Sequence, residues 1–185
     1  MNIAFCVGNG PSIVNVDLAS LKNIGPVYGC NHLIEKFALD NTIAVDHKVL
    51  VDLIANGHNQ RSNIYTRSRW QKLIEGDNVH FLSNPIADPQ TKWDREIHWG
   101  SGTHAINLAA SHNPDIVVMI GYDLYNTNFD PGCWIYQINK CFELYPHIQF
   151  VQIQPAGWEV PVQWNADNFS VDNFESLAIM LKDLQ

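Results

Sequence analysis

The chain has 185 residues, 46% hydrophobic and 16% charged, which excludes an intrinsically disordered protein and suits a single domain over residues 1–185. Its formal charge of −8, from 11 Lys and Arg against 19 Asp and Glu, argues against a nucleic-acid backbone as the main partner, though not against a small anionic ligand that senses local donors. The longest apolar runs, Ile116–Ile120 among them, fall far short of the roughly 18 residues a membrane span needs, and the N-terminus lacks the basic leader of a secreted chain, so a soluble cytoplasmic protein is expected.

Strand signals alternate with helical ones along the chain. Runs of β-branched and aromatic residues predict strands at Ile3–Val7, Val27–Tyr28, Thr42–Val45, Asn63–Thr66, Val79–Leu82, Ile116–Ile120 and Gln149–Ile153. Helices are predicted over Asn31–Leu39, Lys48–Asn56, Arg69–Glu75, Ser101–His112, Ile135–Leu144 and Val171–Leu184. Ile116-Val117-Val118-Met119-Ile120 is apolar at every position, the pattern of a parallel strand covered on both faces. The alternation predicts an α/β, Rossmann-like three-layer sandwich with a mostly parallel central sheet. Asn84–Trp99 reads as a long loop near the site, and Pro155–Phe169 as an irregular arm. Cys6, Cys30, Cys133 and Cys141 form no CxxC pair and read as free thiols. Six Trp and eight Phe exceed what a core of this size needs, so some are expected to line a groove.

In open α/β sheets the ligand sits beyond the carboxyl ends of the strands, and the unusual residues of this chain lie just there. Gly8-Asn9-Gly10-Pro11-Ser12 follows the first strand; its two glycines permit a tight turn and close approach of a ligand, or a turn alone. It is neither the dinucleotide GxGxxG nor a lysine-bearing P-loop. Cys30-Asn31 ends the second strand and presents a second amide, able to donate and accept without charge. Asp46 and His47 follow the third: Asp46 can hold a ribose hydroxyl or cap the next helix, and His47 can act as a general base. Arg67, beside Arg61 and Arg69, can clamp a phosphate or carboxylate or lie on a solvated face. His98 and Trp99 precede Ser101-Gly102-Thr103, which opens a helix as an anion site or an ordinary cap. His98 is a second candidate base, and His104, in the first turn, either contacts phosphate or packs. Asp123 and Tyr125 follow the buried strand, Tyr125 as a phosphate donor and Asp123 as an orienting group, a metal ligand or a turn cap. No zinc-type quartet or DxD is present in the sequence, so no dedicated metal site is expected.

Taken in order over residues 8–125, Gly8-Asn9-Gly10-Pro11-Ser12, Cys30-Asn31, Ser101-Gly102-Thr103 and Gly121-Tyr122-Asp123-Leu124-Tyr125 resemble the nucleotide-binding segments of bacterial CMP-sialic-acid-dependent sialyltransferases. The pattern is also similar to a wider set of Rossmann-like proteins that includes archaeal-type pterin diphosphokinases. The resemblance implies that Asn and Ser residues hold CMP, that tyrosines near the last segment contact the phosphate, and that a sugar moves from a CMP-activated donor to an acceptor hydroxyl with no metal required. The family's catalytic histidine has no counterpart matched in this chain, and the family's members are generally longer and carry a lid.

The expectation is therefore a nucleotide held by Gly8, Asn9, Gly10, Ser12, Asn31, Asp46, Ser101, Gly102 and Thr103. Arg67, Asp123 and Tyr125 are expected at the phosphate, with His47 or His98 as base. The partners are a small-molecule nucleotide and an acceptor, with a homo-oligomer left open. Two alternatives stand beside it. One is an ATP-dependent, diphosphokinase-like enzyme with Mg²⁺ near Asp46 and Asp123. The other is a non-catalytic nucleotide-binding module whose Trp158 and Trp164 anchor a protein partner.

Overall fold

A computed structural model describes residues 1–124 and 132–183. Among them eight strands form one sheet: β1 (Ile3–Val7), β2 (Val27–Cys30), β3 (Asn41–Ile43), β4 (Asn63–Arg67), β5 (Val79–Leu82), β6 (Ile116–Ile120), β7 (Gln149–Ile153) and β8 (Phe169–Asp172). Every pair is parallel, in the order β5-β4-β3-β2-β1-β6-β7-β8. Helices α1 (Leu18–Leu21, a single turn), α2 (His47–Ala55), α3 (Ser101–Ser111), α4 (Gly132–Leu144) and α5 (Phe174–Asp183) complete the α/β sandwich.

The alternation of side chains in β1 and β6 builds both layers. Ile3, Phe5 and Val7 pack with Val118 and Ile120 against Leu18, Leu21, Leu50, Leu53 and Leu177 of α1, α2 and α5. Ala4 and Cys6 join Val117 and Met119 against Ala105, Ile106, Ala109 and Ile138 of α3 and α4. Strands covered on both faces have no polar side, which is why these two read as unbroken apolar runs.

Three elements differ from the sequence reading. The Asn31–Leu39 helix is a short 3₁₀ segment, Asn31–Glu35, and Arg69–Glu75 gives only a 3₁₀ turn, Ser68–Trp70, followed by turns. In place of the start of the last predicted helix runs β8, an edge strand whose Ser170, Val171 and Asp172 are exposed. Asn168 fixes its approach: the side-chain amide donates to the carbonyls of Phe142 and Tyr145 at 3.1 Å and of Ile148 at 3.0 Å, tying the end of α4 and the turn that follows it to the start of β8.

The aromatic arm is not an exposed platform. Trp164 is buried, donates its indole N–H to the Ile135 carbonyl at 3.1 Å and meets Phe142 and Phe169 edge-on, so it completes the core over α4 and cannot anchor a partner. Trp158 is half-buried. All four cysteines are free, as read from the sequence. Among the described residues no helix is long and apolar enough to cross a membrane.

The loop between β5 and α3 is held by one buried carboxylate. Asp94 accepts from the Gln90 and Thr91 amides at 2.8 and 2.6 Å and from the Tyr136 hydroxyl at 2.8 Å. Burial alone would raise its pKa, but these donors outweigh burial and hold it below the ordinary carboxylate value. A depressed folded-state value means that Asp94 stabilises the fold above the unfolded-state pKa, about 3.9, and that this contribution is lost as the pH falls through the folded value. Asp94→Asn is therefore expected to flatten the acid limb of thermal midpoint against pH. Parallel limbs for the two proteins would contradict this.

Candidate functional site

Chain order in the sheet reverses at β1: β2 to β5 extend to one side and β6 to β8 to the other. The crevice beyond the carboxyl ends of β1 and β6 is the switch point at which such sheets bind ligands. A cavity of about 300 Å³ lies there. Its walls come from Gly8, Asn9, Gly10 and Pro11 after β1, Cys30 and Asn31 after β2, the first turn of α3, Gly121 to Leu124 after β6, and Trp134 and Ile138 of α4.

The loops after β1 and β6 are laced together. The Gly8 amide donates to the Ile120 carbonyl at 2.8 Å and the Gly10 amide to the Gly121 carbonyl at 2.9 Å. A side chain on Gly8 would collide with the Gly121 carbonyl oxygen, and one on Gly10 with the Asp123 carboxylate, so this packing requires glycine at both positions. Ser12 completes the junction. Its amide and hydroxyl both donate to the Asp123 carboxylate, at 2.8 and 2.7 Å, and both residues are buried.

Asn31 takes a left-handed backbone, φ +55°, which Asn tolerates better than most residues. Its side-chain oxygen accepts from the Ser101 hydroxyl at 3.0 Å, and that hydroxyl accepts in turn from the Val45 amide at 3.2 Å. The Asn31 amide N–H₂ is left without a protein acceptor among the described residues. Asn9 donates from its side-chain amide to the Cys30 sulfur at 3.2 Å. Burial pushes the Cys30 thiol up to about 12 and raises Tyr122 well above its ordinary value, so both remain neutral at physiological pH.

Gly100, not Ser101, is the N-cap of α3, and among the described residues no side chain caps the first-turn amides. The first helical bond there runs from the His104 amide to the Gly100 carbonyl, leaving the amides of Ser101, Gly102 and Thr103 as the electropositive end of an 11-residue helix at the cavity wall. Thr103 donates its hydroxyl to Gly100 and to buried Gln137, whose amide donates to the Trp93 and His98 carbonyls at 3.0 Å and fastens the β5–α3 loop to α4. Tyr122 donates to the Gly102 carbonyl at 3.0 Å. No Lys or Arg is among the lining residues; the donors are neutral amides and hydroxyls.

Of the residues expected at the site, Gly8, Asn9, Gly10, Asn31, Ser101, Gly102, Thr103 and Asp123 line the cavity. Ser12 lies behind its wall, clamped to Asp123. Asp46, His47, Arg67 and His98 are not among the lining residues. Asp46 is exposed at the N-cap position of α2 and makes no side-chain cap bond. His47 is exposed with its ring 4.9 Å from that of Trp70, and His98 is exposed. Arg67 is half-buried and donates to the Trp99 carbonyl at 2.9 Å. His104 is wholly buried against Trp99, and burial together with the Arg67 charge lowers its pKa to about 3. Tyr125 lies outside the described residues.

Trp134 and Ile138 are wall residues that the sequence reading did not single out. Their i, i+4 spacing places both on one face of α4, which begins three residues earlier than the predicted start at Ile135.

Fold and site together define an α/β, Rossmann-like protein with a cavity at its topological switch point. No protein-family model, no curated protein and no solved structure matches the chain.

Proposed function

We propose that the cavity binds a nucleotide, the CMP portion of a CMP-activated sugar, and that the protein is a sialyltransferase-like glycosyltransferase that passes the sugar to an acceptor hydroxyl. One observation carries this reading. Four segments far apart in sequence, after β1, after β2, at the start of α3 and after β6, meet around a single cavity at the switch point. Uncharged amides at Asn9 and Asn31 suit the edges of a base and sugar, which both donate and accept. The first-turn amides of α3 suit the phosphate, with the helix dipole in place of a cationic side chain. As the bond to the sugar breaks, charge grows on the leaving phosphate, and fixed amides at that position stabilise it without reorganising.

The diphosphokinase-like reading draws less support, because it needs two carboxylates facing one metal ion. Asp46 is not among the cavity residues, and both Asp123 oxygens are taken by Ser12. His98, three residues ahead of Ser101, is the base we assign to the acceptor hydroxyl, with His47 as the second candidate.

Calorimetric titration of the protein with CMP, UMP, AMP and GMP tests the reading. CMP is expected to bind most tightly, and His98→Ala to bind it equally well while losing transfer from a CMP-sugar. Binding of none of the four overturns the nucleotide assignment. Binding of CMP with neither hydrolysis nor transfer of a CMP-sugar over hours leaves a binding module and overturns the transferase.

A further inference from the structure

A second polar locus lies under the first turn of α3, on the β3–β4–β5 side of the sheet, away from the cavity. Four buried nitrogens there have no hydrogen-bond partner among the described residues: Arg67 Nε, Trp99 Nε1, and both ring nitrogens of His104. The three side chains are neighbours. Arg67 donates from Nη2 to the Trp99 carbonyl at 2.9 Å, the rings of Trp99 and His104 lie 5.6 Å apart, and the Arg67 charge acts on His104.

Buried polar groups are almost always satisfied, and a half-buried guanidinium needs a counter-charge more than any neutral group does. Among the described residues no carboxylate lies within ion-pair distance of Arg67. Of the two acids that act on its charge, Asp46 is solvent-exposed, and Glu96 accepts from the Ser68 amide and hydroxyl at 2.7 and 2.9 Å. Whichever ring nitrogen of His104 carries the proton, the group presents three N–H donors and one cation. The positive end of α3 lies just above. Unpartnered donors beside a cation that no carboxylate contacts are what an anion would complete.

We propose that Arg67, Trp99 and His104 form an oxyanion subsite that takes a carboxylate or a phosphate group. The subsite is closed in this structure. Trp99 is wholly buried, and the segment Trp93 to Trp99 leading into it is a strap fastened at the surface by Glu96 to Ser68 and on its inner side by Gln137 to Trp93 and His98. Entry therefore requires the strap to lift. None of Arg67, Trp99 and His104 is among the residues that line the cavity, so the subsite is tested without a nucleotide present.

Sodium phosphate and sodium acetate, each compared with sodium chloride at matched ionic strength, test the assignment on the full chain. Thermal unfolding and the ring ¹⁵N resonances of His104 are read together. One or both anions are expected to raise the thermal midpoint and to shift the His104 resonances saturably, the stronger of the two identifying the preferred group. In Arg67→Gln both responses are expected to vanish. In Arg67→Lys, which keeps the charge but loses the guanidinium fork, the affinity is expected to fall about tenfold. Should Arg67→Gln fail to fold, the His104 shifts in the natural protein and in Arg67→Lys still decide. Unmoved His104 resonances through tens of millimolar of both anions overturn the proposal. A midpoint shift that survives in Arg67→Gln overturns it too, since the anion then binds elsewhere.

Discussion

Asp123→Ala is expected to destabilise the protein by about 3–4 kcal/mol, the largest loss from any single polar truncation near the cavity. The Asp123 carboxylate accepts both the amide and the hydroxyl of Ser12, and both partners are buried. Hydrogen bonds to a charged acceptor are worth about 1.5–3 kcal/mol each, and removing the acceptor strands two buried donors that water cannot reach. Ser12→Ala removes one donor of the pair and leaves the amide bond intact, so it is expected to cost only about 1–2 kcal/mol. In the double variant the Ser12 hydroxyl no longer needs an acceptor, and the combined loss should fall short of the sum of the two single losses. Denaturant unfolding of the three variants provides the measurement. A loss below 1.5 kcal/mol for Asp123→Ala, on the scale of one neutral hydrogen bond, would show that the clamp does not hold the two loops together.

The clamp also explains why the sequence reading placed these loops well. Gly8, Asn9, Gly10, Pro11 and Ser12 are punctuation residues that mark a loop wherever they cluster, although the close approach of Gly121 and Asp123 that requires the two glycines is visible only in the fold. The strands β1 and β6 begin and end where their apolar runs do, because burial selects residue by residue along them, whereas β5 and β7 carry polar positions and are marked by their β-branched and aromatic residues. β8 escaped notice because it is an edge strand with three exposed positions, and its short polar sequence carries no such selection. The Asn31–Leu39 segment has helical spacing of its apolar residues. Yet the ten residues from Asn31 to Asp40 must carry the chain from the end of β2 back to the start of β3, which leaves no room for a capped α-helix.

What the sequence did not carry was the order of strands. Asp46, His47 and Arg67 do follow β3 and β4 at the expected end of the sheet. Neighbouring strands lie about 4.8 Å apart, so β3, two strands from β1, is displaced by about 10 Å and β4 by about 14 Å. A cavity centred on β1 and β6 therefore leaves those side chains beyond its walls, and nothing in the spacing of residues along the chain reports that displacement. The same displacement brings Arg67, expected at the phosphate, to Trp99 and to His104, which the sequence left open between a phosphate contact and packing. Two loci, one neutral and one cationic, replace the single cradle that the motif order alone suggested.

Asn31 offers the sharpest separation of chemistry from conformation. Its backbone is left-handed, its side-chain oxygen is held by Ser101, and its amide N–H₂ is available at the cavity wall. Asn31→Gly keeps the backbone conformation at no steric cost and removes only the amide. It is expected to leave stability within about 1 kcal/mol of the natural protein, because Ser101 keeps its bond from the Val45 amide. Its affinity for CMP is expected to fall about 10- to 100-fold, the loss of one or two hydrogen bonds to a ligand in a water-poor cavity. Asn31→Ala removes the same amide and adds the strain of a left-handed alanine, about 1 kcal/mol, so its affinity should match that of Asn31→Gly while its unfolding midpoint falls further. Calorimetry and thermal unfolding on the two variants resolve these effects. Equal CMP affinity in Asn31→Gly and the natural protein would remove Asn31 from the ligand contacts. A loss confined to Asn31→Ala would assign the residue to holding the loop rather than reading the ligand.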